Sequence, residues 1–284
     1  MNILVTGSAG RIGRYVVREL LDSGHHVLSV DIAPPPALSS PAGETRQVDL
    51  TQAGEVYQAV AAAQADAVIH LGAWPNAGIV PDTRTYGENV RGAFNLFQAC
   101  ADLGVLRVVS ASTNQIYGFA GAPPVYAPVD EEHPLRPINC YALSKMAGEQ
   151  AADYFIANYG MTILSFRFMG VRTPQQIGPE IEQMAQDPAN GSWLLWTRTD
   201  ARDAAVACRL AVEADAPPSG PYNITGAQVL ETPMAELVQT HFGGRTEICG
   251  DLADRLSLLS CARAEAAFGY RPQYVWTESQ RHPE

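Results

Sequence analysis

The chain has 284 residues, 46% of them hydrophobic, enough to bury a full core as one large domain or as a nucleotide domain with a smaller lobe. A formal net charge of −11 argues against nucleic acid or an anionic membrane as a partner, and no apolar run is long enough to span a bilayer. The first strand is expected from residue 2, which leaves no room for a leader, so a cytoplasmic location is expected. Five scattered cysteines (Cys100, Cys140, Cys208, Cys249 and Cys261) lack C-x-x-C spacing, so neither a disulfide framework nor a metal site is expected.

Residues 3–5 form an apolar run of the kind found in a buried parallel strand. It breaks at Thr6 into Gly7-x-x-Gly10-x-x-Gly13, and a helix grows from the turn through Ile12, Val16, Val17, Leu20 and Leu21. Glycines there let the backbone turn sharply, leave bare N–H groups for a pyrophosphate, and let the helix pack closely on the strand. About 20 residues on, a second apolar strand over 27–30 ends in Asp31, where a carboxylate can accept from a ribose 2′-hydroxyl. That carboxylate repels a 2′-phosphate, and Ile32, Ala33, Pro34 and Pro35 offer no cation to hold one, so NAD is expected rather than NADP. Arg11, in the glycine turn, is the cation that could reverse this.

A Pro-rich loop (Pro34, Pro35, Pro36, Pro41) leads to a short strand ending in Val48-Asp49-Leu50. Asp49 stands where it can meet an adenine amino group or cap the next helix, predicted over 51–63. A fourth strand over 67–71 runs into His70-Leu71-Gly72-Ala73, with His70 read as a hydrogen-bonded core residue. A helix is predicted over 83–103 and a fifth strand over 108–111. The carboxyl end of that strand delivers Ser112-Thr113-Asn114-Gln115, a cluster that reads as substrate-facing. After an acidic, Pro-rich loop, Asn139 and Cys140 open a long helix reaching to residue 158.

Tyr141 and Lys145 lie four apart on that helix, so their side chains share one face. A phenol ionises near pH 10 and becomes a useful base only when a neighbouring ammonium stabilises the phenolate. Tyr141 is then the candidate base for a substrate hydroxyl whose carbon gives up hydride, with Thr113, or Ser112 beside it, holding the oxygen.

In this order the motifs resemble the extended short-chain dehydrogenase/reductases, the NAD-dependent epimerase/dehydratase family. The pieces that carry the likeness are residues 6–13, Asp49-Leu50, His70-Leu71-Gly72-Ala73, Asn89-Val90-Arg91-Gly92, Ser112-Thr113 to Tyr117-Gly118, residues 137–145 and Arg167-Phe168. The resemblance implies a doubly wound α/β Rossmann sheet over residues 1–168, carrying Thr113, Tyr141 and Lys145 as the catalytic set. Over 169–284 a small substrate-binding lobe interleaved with late Rossmann elements is expected, shortened relative to the family. Cofactor contacts are implied at Gly7, Gly10, Arg11, Ile12, Gly13, Asp31, Asp49, Leu50, Leu71, Gly72, Ala73, Asn89, Tyr141 and Lys145. A homodimer packed through the helices holding Asn89 and Tyr141 is implied as well.

Departures from the family pattern bear on the substrate. Family members that handle nucleotide sugars follow the Arg-aromatic pair with Asn and then Gly-Pro, whereas this chain reads Arg167-Phe168-Met169-Gly170-Val171-Arg172-Thr173-Pro174. The stretch before Thr199-Asp200-Ala201-Arg202-Asp203 is also short, which favours a small unactivated sugar or sugar acid. Ser112-Thr113-Asn114 is similar to the uronate and aldose dehydrogenase branch. Arg172, with Gln175 or Gln176, is a candidate for a substrate carboxylate or hydroxyl, or simply part of a solvated loop. Residues 193–196 are read as a strand, with core packing favoured over stacking on a sugar for Trp193 and Trp196, and Asp203 is read as a helix N-cap.

The expectation is an NAD-dependent oxidoreductase acting on a small carbohydrate, with Ser112, Thr113, Asn114 and Arg172 facing the substrate. The alternatives are a nucleotide-sugar 4-epimerase with bound NAD and, on different grounds, a non-catalytic NAD-sensing regulator. A sensor has no need of the Thr113, Tyr141 and Lys145 set. A dehydratase would want an acid where Asn114 and Gln115 stand.

Overall fold

The computed structural model describes residues 1–34, 38, 40–253 and 255–279. Of the expected Pro-rich loop, Pro35 and Pro36 lie outside the described residues. The elements are β1 (Asn2–Thr6), α1 (Gly13–Asp22), β2 (His26–Asp31), β3 (Gly43–Gln47), α2 (Ala53–Ala63), β4 (Ala67–His70), α3 (Asp82–Asp102) and β5 (Arg107–Thr113). They continue with β6 (Tyr126–Ala127), α4 (Cys140–Tyr159), β7 (Thr162–Phe168), β8 (Val171–Arg172), α5 (Pro174–Gln186) and β9 (Thr199–Asp200). Last come α6 (Ala201–Glu213), β10 (Gly220–Ile224), α7 (Met234–His241), β11 (Glu247–Ile248) and α8 (Ala262–Phe268). Among the described residues no helix is long and apolar enough to cross a membrane.

Seven strands make one sheet in the order β10-β7-β5-β4-β1-β2-β3. From β3 to β5 every pairing is parallel, with Thr6 level with Val30 on one side and His70 on the other. The strand order reverses beside β1, and in such a sheet ligands bind at the crevice outside the carboxyl ends of the strands. Ile3, Leu4 and Val5 are all buried, as a strand covered on both faces requires.

The chain clusters into two compact units. The first comprises Met1–Ser112, Asn139–Phe166 and Ala205–Pro221. Its core joins Leu4, Leu28, Val30 and Val68 of the sheet to Val56 and Val60 of α2, Leu96 and Phe97 of α3, and Phe155 of α4. Each such side chain contributes about 1.5–3 kcal/mol on burial. The second comprises Thr113–Ile138, Arg167–Ala204 and Tyr222–Glu284. Its core gathers Tyr117, Phe119, Ile177, Ile181, Met184, Trp196, Leu237, Phe242 and Trp276.

Three local readings are corrected. Residues 193–196 are not a strand: a 3-10 helix runs Pro188–Leu194, and Leu195 and Trp196 take left-handed φ values of 51° and 52°. Pro188 starts that helix, the Asp187 carboxylate accepts from the Ala189 amide at 3.1 Å, and the Trp196 indole N–H donates to the Pro188 carbonyl at 2.7 Å. Trp196 is core, as expected, whereas Trp193 is 38% exposed.

Asp203 does not cap α6. It is fully buried in the first turn and accepts the backbone amides of Gln273 and Tyr274, while Asp200 accepts from the Arg202 amide. The third strand ends at Gln47, because the Asp49 carboxylate takes both the amide and the hydroxyl of Thr51 and turns the chain. Helix α2 then begins at Ala53, with Gln52 at its N-cap.

Candidate active site

The glycine turn between β1 and α1 is as tight as its sequence demands. Gly7 has φ +70°, and a Cβ there would stand 2.5 Å from the amide nitrogen of Gly72. At Gly13 a Cβ would come 2.2 Å from the Gly7 carbonyl oxygen. Ile12 occupies the N-cap of α1, and Arg11 beside it is exposed. Asp31, at the end of β2, reaches across to the turn: one oxygen accepts from the Ala9 amide at 3.0 Å and the other from Ala33 at 3.0 Å.

Beyond Asp31, the ends of β2 and β3 open on a groove of about 490 Å³ lined by Ile32, Val48 and Asp49 and flanked by Arg46. A dinucleotide fits these residues: a close glycine turn opening onto the start of α1 for the pyrophosphate, a carboxylate for the ribose, and a groove at the adenosine end. Gly72 is small for the protein's own sake, since a Cβ there would meet Leu50 Cδ1 at 2.6 Å. Leu71 and Gly72 donate their amides to the carbonyl and hydroxyl of Thr6, and Ala73 follows them, half-buried.

His70 is a core residue. It is 3% exposed and bonded to the Thr6 hydroxyl at 2.8 Å, and burial, helped by the Lys145 charge, lowers its pKa to about 3.

Asn139 starts α4 by accepting the Ala142 amide at 2.8 Å. Tyr141, 8% exposed, and Lys145 follow on one face, with the ammonium 6.0 Å from the centre of the phenol ring. Lys145 donates to the Ala111 carbonyl of β5 at 2.8 Å, and burial pulls its pKa down to about 8. Asn89 on α3 uses its side-chain oxygen to hold the Trp74 amide and its nitrogen to bond the Trp74 carbonyl and the Ser144 hydroxyl. Ser144 in turn donates to the Tyr141 carbonyl at 2.7 Å. Asn89 therefore ties the loop after β4 to the first turn of α4.

At the end of β5, the Ser112 hydroxyl donates to Glu149 on α4 at 2.5 Å. Thr113, 4% exposed, accepts the Gln115 amide, and Asn114 is buried at the start of a 3-10 turn, Asn114–Tyr117. Arg172 pairs with Glu180 at 2.5 Å, and Arg198 takes the other oxygen of the same carboxylate. Gln176 accepts from the Thr173 amide and so helps to start α5.

Glu149, Trp74 and Ser144 were not anticipated from sequence. Glu149 alone carried a signal, standing four residues after Lys145 on the same helix.

A profile of the NAD dependent epimerase/dehydratase family matches residues 3–225. The chain belongs to that family. It is 31% identical over 227 residues to an L-arabinose 1-dehydrogenase (NAD(P)(+)) of Haloferax volcanii, a match covering 76% of this chain and 84% of that one. It is 33% identical over 174 residues to a uronate dehydrogenase of Pseudomonas putida, covering 61% of this chain and 62% of its relative. A short-chain dehydrogenase/reductase superfamily protein of Agrobacterium tumefaciens, solved with bound NAD, superposes with a TM-score of 0.73 at 25% identity over 98% of this chain and 94% of that one. As a member of the epimerase/dehydratase family, this chain is an NAD-dependent enzyme built on a Rossmann sheet.

Proposed function

We propose that the protein oxidises a hydroxyl of a small, unactivated sugar or sugar acid, with NAD as the hydride acceptor. The observation that carries this reading is the pairing of Tyr141 with Lys145 on one face of α4, the ammonium enclosed and held by the Ala111 carbonyl. Tyr141 removes the hydroxyl proton, and the Lys145 charge makes its phenolate accessible near neutral pH. Thr113 binds the reacting oxygen. NAD, when bound, supplies the acceptor for the hydride; the glycine turn and Asp31 hold its pyrophosphate and ribose, and Asp49 its adenine edge.

Support for a sugar comes from the arabinose and uronate dehydrogenases among the relatives, and support for a small one from the short stretch between Arg167 and Thr199. Arg172 and Asn114 are proposed to face the substrate. A cytoplasmic homodimer is proposed through α3 and α4, which leave Tyr86, Phe94, Leu143 and Tyr154 exposed. Purified protein given NAD and a panel of aldoses, uronic acids and polyols should form NADH with at least one member, and Tyr141→Phe should not. Silence across the panel with interconversion of a nucleotide sugar would overturn the proposal.

A further inference from the structure

Glu149 stands one turn beyond Lys145 on α4 and takes no part in the chemistry proposed above. Its Oε1 accepts from the Ser112 hydroxyl at 2.5 Å, while Lys145, one turn earlier, donates to the carbonyl of Ala111 at 2.8 Å. Two successive turns of the helix thereby grip two successive residues of β5. The contact is sheltered: Ser112 is 6% exposed, and Glu149, Lys145, Ser110, Ser112 and Ser165 wall a cavity of about 10 Å³, room for one water. A hydroxyl given to a carboxylate in such surroundings makes a short bond, roughly twice as strong as a neutral one.

Successive side chains of a strand point to opposite faces. With Ser112 turned onto α4, the rotation of the strand end is set, and with it that of Thr113, the last residue of β5. The Ser112 hydroxyl proton is spent on this tie.

We propose that Glu149 is a positioning residue: through Ser112 it fixes the end of β5, whose last residue is Thr113, onto the helix that carries Tyr141 and Lys145. The proposal rests on the reading of Thr113, Tyr141 and Lys145 as the reacting set. It also gives Ser112 a role in the strand rather than on the substrate.

The test compares wild type, Glu149→Ala, Glu149→Gln, Ser112→Ala and the Ser112→Ala/Glu149→Ala double variant as full-length protein. Two experiments are run: steady-state kinetics, giving kcat and KM with NAD and the sugar that wild type oxidises, and hydrogen exchange in the peptide over residues 107–115. Glu149→Ala should lower kcat by about ten- to a hundred-fold, leave the KM for NAD within about two-fold, and speed exchange at the strand end. Glu149→Gln, whose carbonyl still accepts from Ser112, should recover most of both. Ser112→Ala should match Glu149→Ala, and the double variant should be no worse than either, because the two residues act through one bond.

Wild-type kcat and exchange in Glu149→Ala would overturn the proposal. So would Glu149→Gln as impaired as Glu149→Ala, or losses that multiply in the double variant. Turnover that survives in Tyr141→Phe would instead overturn the reading of the reacting set, and the exchange data would still decide the tie.

Discussion

The ammonium of Lys145 donates to the carbonyl of Ala111 at 2.8 Å, which holds a positive charge beside the phenol of Tyr141. Burial works against that charge and lowers its pKa to about 8. A group kept charged at neutral pH against its own desolvation is what phenolate catalysis needs, and it has a cost that can be measured.

Lys145→Met should lower kcat by about 10²- to 10⁴-fold. In wild type the Lys145 charge is lost as pH rises through about 8, so kcat should fall on an alkaline limb near that value. The stability effect has the opposite sense. Between about 8 and the ordinary lysine value the unfolded chain holds the extra proton, so stability rises with pH across that window, and below it the charge costs about 3 kcal/mol. Thermal melts at pH 7 should place the inactive Lys145→Met at or above wild type; a large drop would contradict this.

Asp31→Ala should weaken NADH binding about ten-fold and narrow the preference over NADPH, because the carboxylate that repels a 2′-phosphate is gone. Arg46, on the groove beside Asp49 and loosely paired with Glu44 at 3.5 Å, puts a cation near that end of the site. Fluorescence titrations with both nucleotides read the ratio. An unchanged ratio would mean that Asp31 does not set it.

Gly13→Ala would place a methyl 2.2 Å from the Gly7 carbonyl, backbone against backbone, so the turn must move. It should abolish NADH binding and cost about 1–3 kcal/mol in urea unfolding. Gly54→Ala, in the open first turn of α2, should instead change stability by less than about 0.5 kcal/mol and leave binding alone.

Burial raises the Asp203 pKa to about 6, even with the amides of Gln273 and Tyr274 pulling it down. Its contribution to stability is therefore present below about pH 4 and lost as pH rises through about 6, a swing of about 3 kcal/mol. Asp203→Asn removes the titration. The stability difference between wild type and variant should shift by that amount between pH 4 and pH 7, and parallel curves would contradict it.

The parts of the site legible in the sequence are those fixed by local geometry. Gly7 and Gly13 announce a turn no side chain tolerates, Asp31 closes a strand at a set distance, and Tyr141 and Lys145 share a helix face by spacing alone. What stayed hidden depends on which distant atoms meet. Nothing near Asn89 in the chain tells that its amide holds Trp74 and Ser144, or near Asp203 that it clamps residues 273 and 274. Residues 193–196 misled because an apolar run looks the same in a strand and in a buried turn. There, Pro188 and the Trp196 indole bond decide the backbone.

The most direct measurement is absorbance at the reduced-nicotinamide band for wild type and Tyr141→Phe, each with NAD and the panel of free sugars, uronic acids and polyols. Wild type should form NADH with at least one of them, and the variant should lose about 10²-fold or more of that rate. NADH formed equally by both proteins would contradict it.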